Sequence, residues 1–238
     1  MSERIDRIRE RWQRTRSVMQ APRIRILIRG GEDAHALHRL YTRRHPRFLM
    51  AQNKRWGVAM LPLPPTFDEY LSGRSMATVR QKRRKASDAG FRYAVVPPSE
   101  HLDEIMAINL STPTRQGRPM SEAYVDREEM LSTFRDQPSM HAVLDGEGHV
   151  RAYALGVDLG EAYVLWKILG HAEDLAHGTM YLLVSEVIHG RIDAKDANGD
   201  PHWLMYDTFW GASAGLAFFK EKCGFKPYTV DWIWAGDR

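Results

Sequence analysis

The stretch GLAFFKEKCGFKPY, Gly215 to Tyr228, sets Lys220 directly behind two phenylalanines and ahead of a Cys-Gly-Phe turn. An ammonium there could steady a developing oxyanion or a leaving group, or hold a terminal phosphate. Equally, its stem could cover apolar surface while its head reaches water. Asp207 follows Tyr206 at the end of the run HWLMYD, where open α/β sheets place ligand-contacting groups. Its carboxylate suits holding or deprotonating an amine; capping the next turn is the plainer role. His171 and His177 bracket the loop GHAEDLAHGTM, and either imidazole suits proton transfer near neutral pH or simple solvation. In TRQGRPM, Arg115 and Arg118 form a guanidinium pair fit for carboxylate or phosphate, so an acidic acceptor is expected.

Other chemistries are excluded or unsupported. The single cysteine, Cys223, allows no intrachain disulfide and no multi-cysteine metal site, and without a nearby histidine it reads as a structural thiol. The ten histidines show no metal-ligand spacing, so no metal is expected. Neither a Ser-His-Asp pattern nor a phosphate-binding P-loop is present. No apolar run approaches the roughly 18 residues of a membrane span, and the charged start MSERIDRIRERWQRTR is unlike a signal peptide; a cytoplasmic location is expected.

The net charge of +4 hides a strong asymmetry. Residues 1–96 hold 22 Lys/Arg against 8 Asp/Glu, and residues 97–238 hold 12 against 22. A basic half of that size attracts nucleic acid, an anionic membrane or an acidic donor, unless the two halves neutralise each other in the fold.

The elements that must position these residues follow from periodicity. Ile5, Ile8 and Trp12 at helical spacing predict a basic amphipathic helix. RIRILIR alternates as a half-buried strand does, a helix follows over about 32–44, and WGVAMLPL reads as another strand. Residues 67–89 are helical in composition, and RQKRRK crowds Arg80, Arg83 and Arg84 onto a helix polar nearly all round. Such a helix is solvated or lies against something acidic; its arginines are the candidate polyanion contacts. From Gly90 the order is strand, two helices, three antiparallel strands, helix, strand, helix, strand. The helix after the three strands opens at Gly178-Thr179, and residues 122–134 are expected to form one helix.

That succession resembles the GNAT (N-acyltransferase) superfamily over nearly the last 150 residues. The resemblance implies an α/β fold, a mixed and mostly antiparallel sheet flanked by helices, with residues 90–238 as the acyltransferase domain and residues 1–89 as a basic N-terminal extension packed on it. It implies that EAYVLWKIL is the central strand, splayed from its neighbour to receive the acyl donor. Backbone at Leu169 and Gly170, with His171, His177, Gly178 and Thr179, would then hold the donor, its pyrophosphate lying at the helix N-terminus. The superfamily's donor-loop glycine pattern is kept at Gly178 but not at Leu175 or Met180. Arg115 and Arg118 would border the acceptor cleft, whose walls would include Trp166, Tyr206, Trp210 and Tyr228.

Many members also end in a pattern like Asn-x-x-Ala-x-x-x-Tyr-x-x-x-Gly-Phe, in which the tyrosine protonates the departing thiolate. Aligning Gly224-Phe225 places Ser213, Leu216 and Lys220 at the Asn, Ala and Tyr positions. The segments YDTFWGASAGLAFFKEKCGFKP and SGRSMATVRQKRRKASDAGF resemble the Fem-type branch, whose members transfer an amino acid from aminoacyl-tRNA to an amine. The expected activity is therefore transfer of an acyl or aminoacyl group from acyl-CoA, acyl-carrier protein or aminoacyl-tRNA to an amine, with no tightly bound cofactor and with Lys220 and Asp207 as catalytic residues. The alternative is a catalytically silent GNAT-like module that binds nucleic acid or an anionic membrane surface.

Overall fold

The computed structural model describes residues 20–44, 52–115, 118–195 and 199–237; the expected N-terminal helix lies outside them. Alternating apolar positions build the strands β1 (Arg23–Ile28), β2 (Val58–Pro62), β3 (Arg92–Val96), β6 (Met140–Leu144), β7 (Val150–Asp158), β8 (Ala162–Gly170), β9 (Trp203–Thr208) and β10 (Lys226–Trp234). The short pair β4 (Thr114–Arg115) and β5 (Arg118–Pro119) forms a separate hairpin within the TRQGRPM stretch. The helices are α1 (Glu32–Thr42), α2 (Phe67–Leu71), α3 (Ala77–Asp88), α4 (Leu102–Leu110), α5 (Glu122–Val125), α6 (Arg127–Phe134), α7 (Thr179–Asp193) and α8 (Ala214–Lys222).

Two expected helices are each split, for local reasons. Residues 122–134 divide at Asp126, which is extended and whose carboxylate accepts the Glu129 N–H at 2.8 Å, so it starts α6 instead of continuing α5. Residues 67–89 divide around Gly73, in the left-handed region, and the Arg80 guanidinium donates to the freed carbonyls of Leu71 and Gly73. Ser213 caps α8 by accepting the Leu216 N–H.

The main sheet has the order β1-β10-β2-β9-β8-β7-β6-β3. The run β3-β6-β7-β8 is antiparallel, whereas β8–β9 and β1–β10 are parallel pairs. Hydrogen bonding crosses the boundary expected near residue 90. β2 is inserted between β9 and β10, β1 extends the sheet beyond β10, and the sheet curls until Ile28 bridges Gly160 in the β7–β8 turn. α3 lies along α7, with Arg83 ion-paired to Glu186.

Each face of the sheet buries its own apolar set. On one, Leu182, Leu183, Val184, Val187 and Ile188 of α7 pack with Val79 and Ala86 of α3 against Tyr163, Leu165, Leu204 and Tyr206. Full burial of each such aliphatic side chain contributes about 1.5–3 kcal/mol. On the other, α1 covers Val164, Met205 and Trp232, while α4 and α6 cover Tyr153, Leu155 and Trp166.

One buried polar chain runs through the first of these layers. His141 lies between Tyr93 and Tyr163, 2.7 Å from each phenol oxygen, and burial pulls its pKa down to about 4, so the imidazole is neutral. Tyr163 reaches His141 only because Gly156, beneath its ring, has no Cβ. Gly156→Ala would evict the Tyr163 ring and break that bond. We expect a loss of about 3 kcal/mol and a melting temperature about 6–12 °C lower in a thermal unfolding scan. An unchanged melting temperature would mean the tyrosine has another place to go.

Candidate active site

The site forms where two parallel strands part. β8 and β9 are paired only over Ala162–Val164 and Trp203–Met205. Beyond that, Leu165–Gly170 and Tyr206–Thr208 run on without pairing to each other, opening a seam in the middle of the sheet. Each lip carries one of the two non-glycine residues found in the left-handed region among the described residues: Lys167 (φ 41°) on β8 and Asp207 (φ 53°) on β9. Such conformations cost on the order of 1–3 kcal/mol each and persist where surrounding structure enforces them.

Lys167 is the extra residue of a β-bulge. Leu155 pairs with Trp166 and Ala154 with Ile168, leaving Lys167 without an opposite residue on β7. The insertion resets the alternation of β8, so that Ile168 joins the α7 layer and Leu169 the α4–α6 layer. The Lys167 ammonium sits 4.7 Å from the centre of the Tyr124 ring, and burial lowers its pKa. Burial raises the pKa of Tyr124, and the Asp207 carboxylate raises it further. Tyr124 thus stands within electrostatic reach of both lips.

Asp207 forms an ion pair with Lys54, from the segment preceding β2, and its side chain is 55% exposed. Lys220 lies beneath the same lip. It has no exposed surface, donates to the Thr208 carbonyl at 2.8 Å, and has the Tyr206 ring centre at 4.7 Å and that of Phe209 at 5.8 Å. The lysine at the end of an apolar helix face is therefore wholly enclosed and does not reach water. Burial draws its pKa from 10.5 down to about 8, opposed by Asp207 and assisted by Lys54. Tyr206 and Phe225 pack in the layer around it. The Cys223 thiol is buried and pushed up by burial, which fits a structural role.

The expected donor loop takes another form. Ala172–His177 coil into a 3₁₀ turn; the Asp174 and Gly178 N–H groups donate to His171 and Leu175. Gly178 adopts φ 94°, and a Cβ there would lie 2.5 Å from the Lys82 carbonyl oxygen, so α3 closes over the N-terminus of α7. Thr179 is buried and donates to the Asp174 carbonyl. Asp174 turns toward Arg151, at 2.6 Å, and His171 joins the same cluster. His177 is exposed, with its ring beside Phe91.

The remaining sequence candidates disperse. Arg115 is engaged structurally, donating to Gly170 at the end of β8, to Ile108 at the end of α4 and to Ser111. Arg118 pairs with Arg115 across the β4–β5 hairpin. Leu169 and Trp166 pack under α4 and α6. Tyr228 stacks edge-on against Trp203, which pairs with Ala162 at the closed end of the seam. Trp210 is half-exposed just beyond β9. Of the basic helix, Arg80 and Arg83 are bound internally, and Arg84 is exposed beside Asp88. Sequence reasoning missed Lys54 and Lys167. For Lys167 a signal existed, since it is the one charge in AYVLWKILG.

No family model matches the sequence, and no curated protein matches it significantly. Among solved structures, FemX superposes with a TM-score of 0.54 at 11% identity, covering 72% of this chain and 59% of its own. The chain has a GNAT-type fold, with a Fem-like neighbour. A conserved protein of unknown function from Bacteroides thetaiotaomicron gives 0.51 at 11% identity, over 73% of this chain and 59% of its own. L-PGS from Bacillus licheniformis gives 0.46 at 12%, over 71% and 57%. The chain thus spans 57 to 59% of the length of these solved chains, and at such identities the likeness concerns the GNAT-type fold alone. Among the described residues, no helix is long and apolar enough to cross a membrane.

A buried ammonium opposes folding. Lys220 has a lower pKa folded than unfolded, so between about 8 and 10.5 the unfolded chain binds more protons and stability rises with pH. The whole interval is worth about 3 kcal/mol. Lys220→Met should raise the melting temperature at pH 7 and flatten its rise from pH 8 to 10, as read by calorimetry. A lower melting temperature at pH 7 would show that the bond to Thr208 outweighs the burial cost.

Proposed function

We propose that this chain is an acyltransferase that moves an acyl or aminoacyl group from an ester or thioester donor to an amine at the β8–β9 seam. The observation that carries this reading is the parted seam itself, with Lys220 beneath one face and Asp207, beside Tyr124 and Tyr41, toward the other. Donor and acceptor can then meet from opposite sides of one sheet.

In this reading backbone N–H groups of β8 near Leu169, on the side where β9 has parted from it, polarise the donor carbonyl. The amine nitrogen attacks the carbonyl carbon directly, with Asp207 or a water relay taking its proton. The tetrahedral oxyanion is held by those N–H groups and by the Lys220 charge. As it collapses, the bond to the leaving oxygen or sulfur breaks, and that atom takes a proton. Lys220, poised near pH 8, is suited to supply it. Holding both partners in line supplies much of the remaining acceleration.

The closed 3₁₀ turn and the Lys82 carbonyl at Gly178 favour a donor not anchored by a pyrophosphate at the start of α7. Among aminoacyl-tRNA, acyl-carrier protein and acyl-CoA, that disfavours acyl-CoA, the one donor with a pyrophosphate, and the excess of Lys/Arg in residues 1–96 favours the polyanionic tRNA of the remaining two. A silent module binding polyanions through Arg80, Arg83 and Arg84 is less well supported, because two of these arginines are bound within the chain.

Purified protein should show a rise in melting temperature with charged tRNA and not with acetyl-CoA, long-chain acyl-CoA or acyl-carrier protein. Transfer to an amine should fall about 100-fold or more in Lys220→Ala. It should also fall in Asp207→Asn, and for the unaltered chain it should decline as pH rises above about 8 and Lys220 loses its proton. Full turnover in both variants would sink the reading.

A further inference from the structure

We propose that Trp56 and Trp210 form a base-stacking platform for the unpaired 3′ end of an RNA, at the open end of the β8–β9 seam. The proposal rests on the acyl-transfer reading only for what the RNA carries; stacking itself needs no acyl group.

Trp56 is 49% exposed and Trp210 48% exposed, an unusual display for the two largest side chains in one neighbourhood. Trp56 lies two residues before β2 and Trp210 two residues after β9, strands that pair as Val58 with Thr208. The two loops are tied by the Phe209 N–H, which donates to the Gly57 carbonyl at 2.7 Å. Each loop is braced again: the Thr208 hydroxyl donates to the Trp210 carbonyl at 3.0 Å, and the Trp232 indole N–H to the Lys54 carbonyl at 2.6 Å. Both indoles therefore stand on fixed backbone, so little loop ordering would oppose binding.

Cations are interleaved with these rings. Lys54 stands beside Asp207 between the two loops, and on α8 the Lys222 ammonium lies 5.1 Å from the centre of the exposed Phe218 ring. Separated aromatic faces with nearby ammonium groups suit successive bases and phosphates of a single strand. A lipid surface is less well matched. The exposed aliphatic residues that would enter it, Val95, Leu110, Val125 and Leu175, lie on β3, α4, α5 and the loop before α7, and none lies on these two loops. A 3′ end stacked on the two indoles would lie within three residues of Lys54 and Asp207 on either loop, which brings its terminal ribose to the seam.

The test uses the full chain and a fluorescein-labelled, uncharged RNA hairpin, with or without a short unpaired 3′ tail, followed by anisotropy. The tailed hairpin should bind about tenfold tighter than the blunt one. Trp56→Ala with Trp210→Ala should remove that preference, since stacking contributes roughly 5- to 150-fold per base, and Trp56→Phe with Trp210→Phe should restore most of it. Equal binding of blunt and tailed hairpins by the unaltered chain overturns the platform, whatever the variants do. So does a tail preference that survives the paired alanine change, or tryptophan-dependent binding to phosphatidylglycerol vesicles without any tail preference. Amine transfer from charged tRNA, assayed in parallel, separates the two ideas. Transfer without tail preference removes the platform alone, whereas tail preference with no transfer from any donor removes the enzyme reading alone.

Discussion

The structure depends on a ladder that stops after three residues. Parallel strands normally share evenly spaced bonds along their length. Here β8 and β9 lose theirs beyond Val164 and Met205, and a left-handed residue follows on each strand. The bulge at Lys167 turns the β8 backbone out of register, and the turn at Asp207 ends β9. Neither distortion is stable alone. α4 to α6 hold one lip through Tyr124, and Lys54 holds the other through its ion pair with Asp207. The layers on both faces then act as clamps, keeping open a gap that an unconstrained sheet would close.

Charge is arranged around that gap with unequal cost. Lys220 is enclosed, bonded to a carbonyl and set against two aromatic rings, so its charge is kept at neutral pH but lost at about pH 8, well below an ordinary lysine. Asp207 is half in water and paired. An enclosed cation acts through a low-dielectric layer and is felt strongly, whereas an exposed carboxylate remains free to exchange partners. The asymmetry suits a reaction whose negative charge develops inside the sheet and whose proton leaves toward solvent.

Much of this was legible in the sequence, in proportion to how local each signal was. The helix and strand succession from Gly90, the apolar face of α7 and the placement of Lys220 and Asp207 all follow from spacing within a few residues. Lys167 could have been noticed as a lone charge in an apolar strand. Lys54 could not, because its partner is 153 positions away and nothing around it marks the pairing. Arg115 shows the converse limit: residue type announces a guanidinium fit for anions, but only the fold reveals that the carbonyls of Ile108 and Gly170 take its bonds. Likewise, the pattern of RIRILIR and WGVAMLPL predicts strands without saying that they join the same sheet as β9 and β10.

That last arrangement bears on how the chain reaches its native state. Arg23 of β1 bonds to Asp231 of β10, 208 positions away, and β2 is enclosed by two strands from the far end of the sequence. Closing such long loops is entropically costly before any contact rewards it. The antiparallel run from β6 to β8 has short connections and is suited to form first, while the first two strands wait as unpaired apolar edges. Because β2 lies between β9 and β10, the far lip of the gap is completed by a pairing that joins Val58 to Thr208 from opposite ends of the sequence. Assembly of the seam and completion of folding are in that sense one event, and the interval before it is when the chain is most exposed to edge-to-edge association.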